Sequence, residues 1–443
     1  MKKCGKTILV TVIFVLLLFL NSCTASSTAS SSSYISSSLS FSEELDAEPT
    51  TFTEDIYFHM ATEGAASNAG FYEIILRSDG SGNIYYTDFN TLSKIVLCNR
   101  LECSHDNETC AGYLPYAANI PEIMATSKSI ILAYSGNPYI TEIGDGAFAR
   151  IEIRNPNGEN ARTIYQFNPN VQLDYNFAFS ESMLFVYQTT IESGNSNPKK
   201  EVLRIDLLTG EATVITQFDC SSGENYYFVG VANGKLFFKK SCIDEALLMN
   251  YQRDGDISTA DITKSLLFNL FTIDPETGEM IDIRSWESGE TLQKIVGDSC
   301  FFVNPGSIDR FDINTQEMKR VVSGQEYCSP DTVEQVYFMD PYLVYNIHYP
   351  ADDPADAVIK RFICNVETLE LWESTLTTSF QGISDPISIA AFTPEHLLVG
   401  YSIEEVSPSE QDTYYSSMKR KYAILDLQDF IQNQPNYAII SED

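Results

Sequence analysis

The segment from Val202 to Phe218 constrains this chain more than any other, because it is a unit that recurs. Apolar side chains alternate from Val202 to Leu207 and again from Ala212 to Phe218, the period of a strand with one buried face. Thr209-Gly210-Glu211 supplies the reversal between the two strands. Degraded copies lie at Tyr85–Cys98, Ile151–Phe167, Leu270–Trp286, Ile308–Val322, Arg361–Trp372 and Tyr422–Phe430. A twisted hairpin pair cannot bury both of its faces alone, so repeats of this kind stack on one another around a common axis. The expected fold is therefore all-β: a β-propeller of seven blades, each of four antiparallel strands.

The turn residues Asp88, Asn155, Asp206, Asp274, Asp312, Asn365 and Asp426 mark the copies. They lie on average about 56 residues apart, against roughly 40 to 50 for an undecorated blade, so loop insertions carry the excess. Asp274 and Asp312 are closest, which makes the fifth blade the least decorated. Each marked hairpin is preceded by two more strand-like runs, such as Tyr226–Val231 and Lys235–Lys240, joined by the tight turn Ala232-Asn233-Gly234. The first blade is expected to use Asp55–Ala61 and Phe71–Leu76. Short helices are expected at Asp244–Tyr251 and Leu425–Gln432. The propeller is placed at residues 53–435, with 436–443 as a C-terminal tail.

The N-terminus sets the expected address. Met1–Lys6 is basic, and Ile8–Leu20 is apolar apart from Thr11, too short for a comfortable membrane span and suited to a signal-peptide core. Leu20-Asn21-Ser22-Cys23 resembles a bacterial lipobox, which implies cleavage after residue 22 and lipidation of Cys23; a plain secretory signal or an uncleaved anchor is the alternative. Residues 23–52 read as a tether: Thr24–Ser40 holds ten serines in seventeen residues, and an acidic stretch follows. The expected location is the outer face of a cell membrane, held by lipid and facing the extracellular side. Removing Lys2, Lys3 and Lys6 with the signal moves the formal net charge from −33 to −36. Such a surface repels phosphate backbones, so no nucleic acid is expected as a partner.

The densest chemistry is Cys98-x4-Cys103-x-His105-x4-Cys110, between the first two blades. Three thiols and an imidazole close together suit tetrahedral Zn²⁺; two of the thiols joined as a disulfide suit an oxidising compartment equally well. In either form the cluster staples a loop. Cys220 and Cys242 flank two expected strands and form a candidate pair. Cys300 and Cys364 fall inside apolar strand patterns, as buried free thiols do.

The phrases Ile205-Asp206-Leu207-Leu208-Thr209-Gly210-Glu211 and Ile273-Asp274-Pro275-Glu276-Thr277-Gly278-Glu279 are similar to hairpins of TolB-like and quinoprotein-like propellers, a likeness that implies fold and no activity. Lipobox, serine tether, acidity and cysteine cluster together resemble membrane-anchored propeller lipoproteins of clostridia, and that resemblance too implies no activity.

No catalytic motif stands out. There is no G-x-S-x-G elbow, and His59, His348 and His396 are scattered over strand-like runs. Gly230–Lys235 is one residue short of a phosphate loop and reads better as a hairpin. Asp254-Gly255-Asp256 with Asp261 resembles the start of a calcium loop but lacks its later ligands. Asp352-Asp353 and Glu404-Glu405 are expected in loops. Two functions are carried forward: a binding or scaffolding protein for a peptide, glycan or partner protein, and a glycan-active hydrolase or lyase whose acids surround a central channel.

Overall fold

The computed structural model describes residues 55–60, 64–67, 69–77, 79–115, 120–139, 148–191, 198–218, 223–243, 265–351, 357–380, 383–405 and 418–442. A short strand, β1 (Tyr57–His59), comes first. Seven antiparallel sheets then follow in chain order and close into a seven-bladed β-propeller. Blade 1 is β2 (Gly64–Ala66), β3 (Gly70–Leu76), β4 (Gly82–Asp88) and an outer strand in two pieces, β5 (Ser93–Val96) and β6 (Tyr113–Leu114). Blade 2 is β7 (Glu122–Ala125), β8 (Ile130–Tyr134), β9 (Arg150–Arg154) and β10 (Arg162–Gln166). Blade 3 is β11 (Val171–Phe179), β12 (Met183–Thr190), β13 (Lys199–Asp206) and β14 (Ala212–Phe218). Blade 4 is β15 (Glu224–Ala232), β16 (Lys235–Cys242), β17 (Leu267–Ile273) and β18 (Met280–Glu287). Blade 5 is β19 (Thr291–Val296), β20 (Ser299–Asn304), β21 (Ser307–Asp312) and β22 (Met318–Ser323). Blade 6 is β23 (Val333–Met339), β24 (Tyr342–Tyr349), β25 (Val358–Asn365) and β26 (Leu371–Glu373). After a separate hairpin, β27 (Thr377–Phe380) and β28 (Ile383–Pro386), blade 7 is β29 (Ser388–Phe392), β30 (His396–Glu405), β31 (Met418–Asp426) and β32 (Ala438–Ile439). A one-turn helix, α1 (Leu427–Ile431), separates its last two strands, and β33 (Ser441–Glu442) ends the chain.

The second strand of each blade shows how alternation builds the ring. Neighbouring residues on a strand point to opposite sheet faces, so one packs against the preceding blade and the next against the following one. The pairs are Phe71 and Tyr72, Ile130 and Ile131, Leu184 and Phe185, Leu236 and Phe237, Cys300 and Phe301, Leu343 and Val344, and Leu397 and Leu398. All fourteen are buried. Seven apolar clusters result, one in each seam, including the seam between blades 7 and 1 where Phe71 meets Leu398, Tyr422 and Ile440. Full burial of each such side chain stabilises the seam by roughly 1.5–3 kcal/mol.

The recurring turn is chemically uniform. Oδ1 of Asp88, Asp206, Asp274, Asp312 or Asn365 accepts hydrogen bonds from the amides two and three residues on, at 2.7–3.0 Å. The residue four positions on takes positive φ: Leu92, Gly210, Gly278, Gln316 and Leu369. This is the Asx device that Asp and Asn favour.

Ring closure uses the C-terminus. β33 pairs in parallel with β5, and Lys94 of β5 sits 2.7 Å from Glu73 and 3.7 Å from Glu442. Residues 436–443, expected as a tail, thus carry the fourth strand of blade 7 and the strand that clasps blade 1. Two strands of two residues each are too short to show alternation. The seventh marked copy is likewise no hairpin: β31 runs into α1, which agrees with the expected helix at Leu425–Gln432. The expected helix at Asp244–Tyr251 lies outside the described residues.

The start of the chain departs from expectation in its partner. Tyr57–His59 does not join blade 1 but adds to the free edge of β11 in blade 3, pairing Tyr57 with Phe179 and His59 with Phe177. Blade 1 begins with β2 instead. The first strands of successive blades approach one another around the axis, so β1 lies on the channel side of blade 3.

Candidate metal centre and channel edge

The cysteine and histidine cluster occupies a break in the outer strand of blade 1. β5 pairs with residues 85–88 of β4 and β6 with residues 82–83, so the two pieces lie end to end along one partner. Between them the chain leaves at Cys98 and returns at Cys110. Two backbone hydrogen bonds hold the ends of the break: Leu97 N–H to the Ile84 carbonyl at 2.8 Å and Ile84 N–H to the Gly112 carbonyl at 2.7 Å. A Cβ on Gly112 would stand 2.9 Å from the Leu97 carbonyl oxygen, so glycine is what lets the ends meet.

One ligand atom from each of Cys98, Cys103, His105 and Cys110 falls within 4.8 Å of all the others, and His105 Nδ1 is 3.2 Å from Cys110 Sγ. Tetrahedral Zn²⁺ with bonds of about 2.3 Å to sulfur needs S···S edges near 3.8 Å, a contraction within reach of side-chain torsions. The loop is shaped to aim these donors: Glu102 and His105 have φ of 59° and 55°. The His105 carbonyl accepts from Asn83 Nδ2 at 3.0 Å and from the Arg77 guanidinium. Arg154 of blade 2 donates to the Ala111 carbonyl at 2.6 Å.

Thiol chemistry within the cluster is unequal. Burial opposes ionisation of Cys98, but the amides of Arg100 and Ala111, with the thiols of Cys103 and Cys110, hold it below its ordinary value. Burial pushes Cys110 up to about 12, against the Gly112 amide and with the neighbouring sulfurs adding to the rise. Amide N–H groups directed at sulfur stabilise thiolates, the form that binds metal. The donor set fits a structural ion with all four positions filled by protein. The three thiols are free in this structure.

The other residues singled out from sequence do not assemble. His348 is exposed on β24, and His396 is exposed with Nδ1 2.7 Å from Asp426. His59 is buried, 3.3 Å from Glu122 of β7. Gly230–Lys235 is a hairpin with Asn233 and Gly234 at positive φ. Cys300, Cys328 and Cys364 are buried free thiols. Glu404-Glu405 end strand β30 rather than forming a loop, with Glu404 paired to Lys421 at 2.7 Å. Cys220, the Asp254–Asp261 loop and Asp352-Asp353 lie outside the described residues.

A second feature was not legible in the sequence. Five first strands bulge, at Leu173/Phe177, Phe228/Gly230, Leu292/Lys294, Glu334/Tyr337 and Ile389/Ala391. A bulge re-aims side chains and bends the strand. On β11 it carries Asp174, Tyr175 and Asn176. The Asp174 carboxylate accepts from the Tyr175 amide at 2.7 Å, and Asn176 Nδ2 donates to the Phe228 carbonyl of β15 at 2.8 Å. Tyr175 and Tyr227, each next in sequence to a partner of this bond, are 45% and 43% exposed, and Tyr227 lies on the face of blade 4 toward blade 5. Lys239 Nζ lies 5.1 Å from the Tyr227 ring centroid. Burial raises the Asp174 carboxyl, against the Tyr175 and Asn176 amides and Lys200, and lowers Lys239 and Lys294.

No protein-family model and no curated protein matches the chain. Solved structures align at low identity. An oligogalacturonate lyase from Vibrio parahaemolyticus is 12% identical over 78% of this chain and 87% of its own, with a TM-score of 0.42. An ulvan lyase of a new polysaccharide lyase family is 10% identical over 85% and 96%, TM-score 0.45. An uncharacterized protein from Listeria monocytogenes is 12% identical over 72% and 80%, TM-score 0.39. None of these likenesses carries a functional argument.

Proposed function

We propose that the chain is a lipid-anchored propeller, held by Cys23 on the outer face of a cell membrane, that binds a peptide, glycan or partner protein without transforming it, and that Zn²⁺ on Cys98, Cys103, His105 and Cys110 closes the broken strand of blade 1. The observation that supports binding over catalysis is β1. It covers residues 177–179 of β11 on the channel side, packs Phe58 on Phe228 with ring centroids 5.2 Å apart, and buries His59 against Glu122. Part of the space in which a propeller enzyme converges its acids is filled by the chain's own strand.

The glycan-active reading keeps one supporting observation, the half-buried carboxyl of Asp174 held above the usual range by burial next to the exposed Tyr175. The two readings separate in one experiment. The mature protein is incubated with glycan and peptide arrays, and the bound material is recovered and checked for new reducing ends or unsaturated products. Intact ligand supports binding; turnover abolished by Asp174→Asn overturns it. Fractionation of cells making the wild type and Cys23→Ser tests the anchor: both in the soluble fraction refutes it.

A further inference from the structure

The loop from Cys98 to Cys110 is fastened to the propeller by bonds that do not use its thiols. The Leu97 to Ile84 and Ile84 to Gly112 backbone hydrogen bonds hold its ends, and the His105 carbonyl, accepting from Asn83 and Arg77, holds its middle. Toward blade 2, Asn99 Nδ2 donates to Glu159 Oε1 at 3.0 Å, and Arg154 donates to the Ala111 carbonyl. The thiols differ in their access to solvent. Cys110 is 3% exposed, whereas Cys98 and Cys103 are half-buried and open to a small reagent. Their sulfurs nevertheless all lie within 4.8 Å of one another.

We propose that the cluster is a thiol switch, in which a low-molecular-weight disulfide converts Cys98 and Cys103 from metal ligands into a disulfide of their own. The proposal rests on the zinc reading above and names the regulation of that site. As ligands, both residues are thiolates. Cys98 attacks one sulfur of the reagent, which forms a mixed disulfide and expels the first small thiolate. Cys103 then attacks Cys98 Sγ, and the second small thiolate leaves. Two protein thiolates have passed two electrons to the reagent's S–S bond, and the two small thiolates take up protons from solvent. Burial keeps Cys110 out of the exchange. A disulfide needs its sulfurs about 2.05 Å apart and a tetrahedral site needs them near 3.8 Å, so the pair serves one purpose or the other and never both. After oxidation only His105 and Cys110 remain as donors, too few to retain the ion. The backbone and guanidinium fastenings are common to both states, so the change is confined to the loop and blade 1 persists.

The test loads the mature protein with zinc under reducing conditions, removes the reductant, and adds glutathione disulfide under nitrogen so that oxygen does not compete. A chromogenic chelator follows released metal against a control without oxidant, and peptide mass spectrometry after alkylation maps the thiols. Close to one equivalent of zinc should be released in step with a Cys98–Cys103 disulfide, while Cys110, Cys300, Cys328 and Cys364 stay free and the circular dichroism spectrum is unchanged. Dithiothreitol with added zinc should restore the starting state. Cys103→Ser should stop at a mixed disulfide on Cys98, and the mapping on wild type decides the matter if that variant fails to fold. The proposal is overturned if zinc and free thiols survive an excess of glutathione disulfide, if Cys98 or Cys103 pairs with any other cysteine, or if zinc leaves with no disulfide formed. Failure to load zinc at all sinks the zinc reading and the switch together; zinc that binds and is never released by the oxidant sinks the switch alone.

Discussion

Lys94 holds the ring shut at its seam, and the structure gives the size of the effect. Its side chain is 5% exposed, with the ammonium 2.7 Å from Glu73, 3.7 Å from Glu442, and 5.5 and 5.2 Å from the ring centroids of Tyr85 and Tyr422. Glu73 is 7% exposed, so Lys94→Met leaves its carboxylate buried without the ammonium, a loss of about 3–5 kcal/mol. Lys94→Met with Glu73→Gln removes both charges and should recover all but roughly 1–2 kcal/mol of the wild-type stability. Glu442 is more exposed and also pairs with Lys419, so Glu442→Gln alone should cost about 1 kcal/mol or less. Urea unfolding of the mature protein, followed by circular dichroism and by fluorescence to check that the transitions coincide, measures all four stabilities. A Lys94→Met loss below about 1 kcal/mol, or a double variant no more stable than the single, would refute the view that a buried charge pair fastens the seam.

Three further outcomes are expected. Gly278 combines φ of +72° with a Cβ position 2.4 Å from the Ile215 carbonyl of the preceding blade, so Gly278→Ala should cost roughly 2–4 kcal/mol in the same unfolding assay, while Leu369→Gly at the equivalent turn should cost less than about 1 kcal/mol. The Asp174 carboxyl is raised on folding by burial, so whatever favourable balance it has below the unfolded carboxylate value, near pH 4, is lost as pH rises through its folded value. Asp174→Asn should therefore stabilise the protein at pH 7 and lose that advantage by about pH 3, and a stability gap that does not shrink on acidification would count against burial as the cause. Purified under reducing, metal-replete conditions, the protein should carry close to one equivalent of zinc by mass spectrometry. Chelation or Cys110→Ser should lower its melting temperature, and less than about a tenth of an equivalent would remove the zinc assignment.

The ring was readable because it is written redundantly. Seven second strands repeat the same alternation, and five turns repeat the same Asx residue with a left-handed residue four positions on, so one degraded copy does not hide the pattern. The cysteine cluster was readable for a different reason: its four donors lie within thirteen residues, and a loop that short cannot carry them far apart. What it closes was not readable. β6 is two residues long, and nothing in Tyr113-Leu114 marks it as the continuation of β5.

The bulged channel edge and the placement of β1 failed to show for a common physical reason. Alternation reports which face of a strand is buried and says nothing about which hydrogen-bonding edge it meets, since every free edge presents the same backbone groups. Tyr57-Phe58-His59 reads equally well as a strand of blade 1 and as an addition to blade 3. The choice is made by contacts far along the chain, Phe58 with Phe228 and His59 with Glu122. A bulge hides in the same way, because two extra residues on β11 shift the register opposite β12 without altering the apolar count of either strand. The repeat thus dictates the scaffold. The breaks in that repeat, β1 added to blade 3 and the divided outer strand of blade 1, are what distinguish those blades from the others.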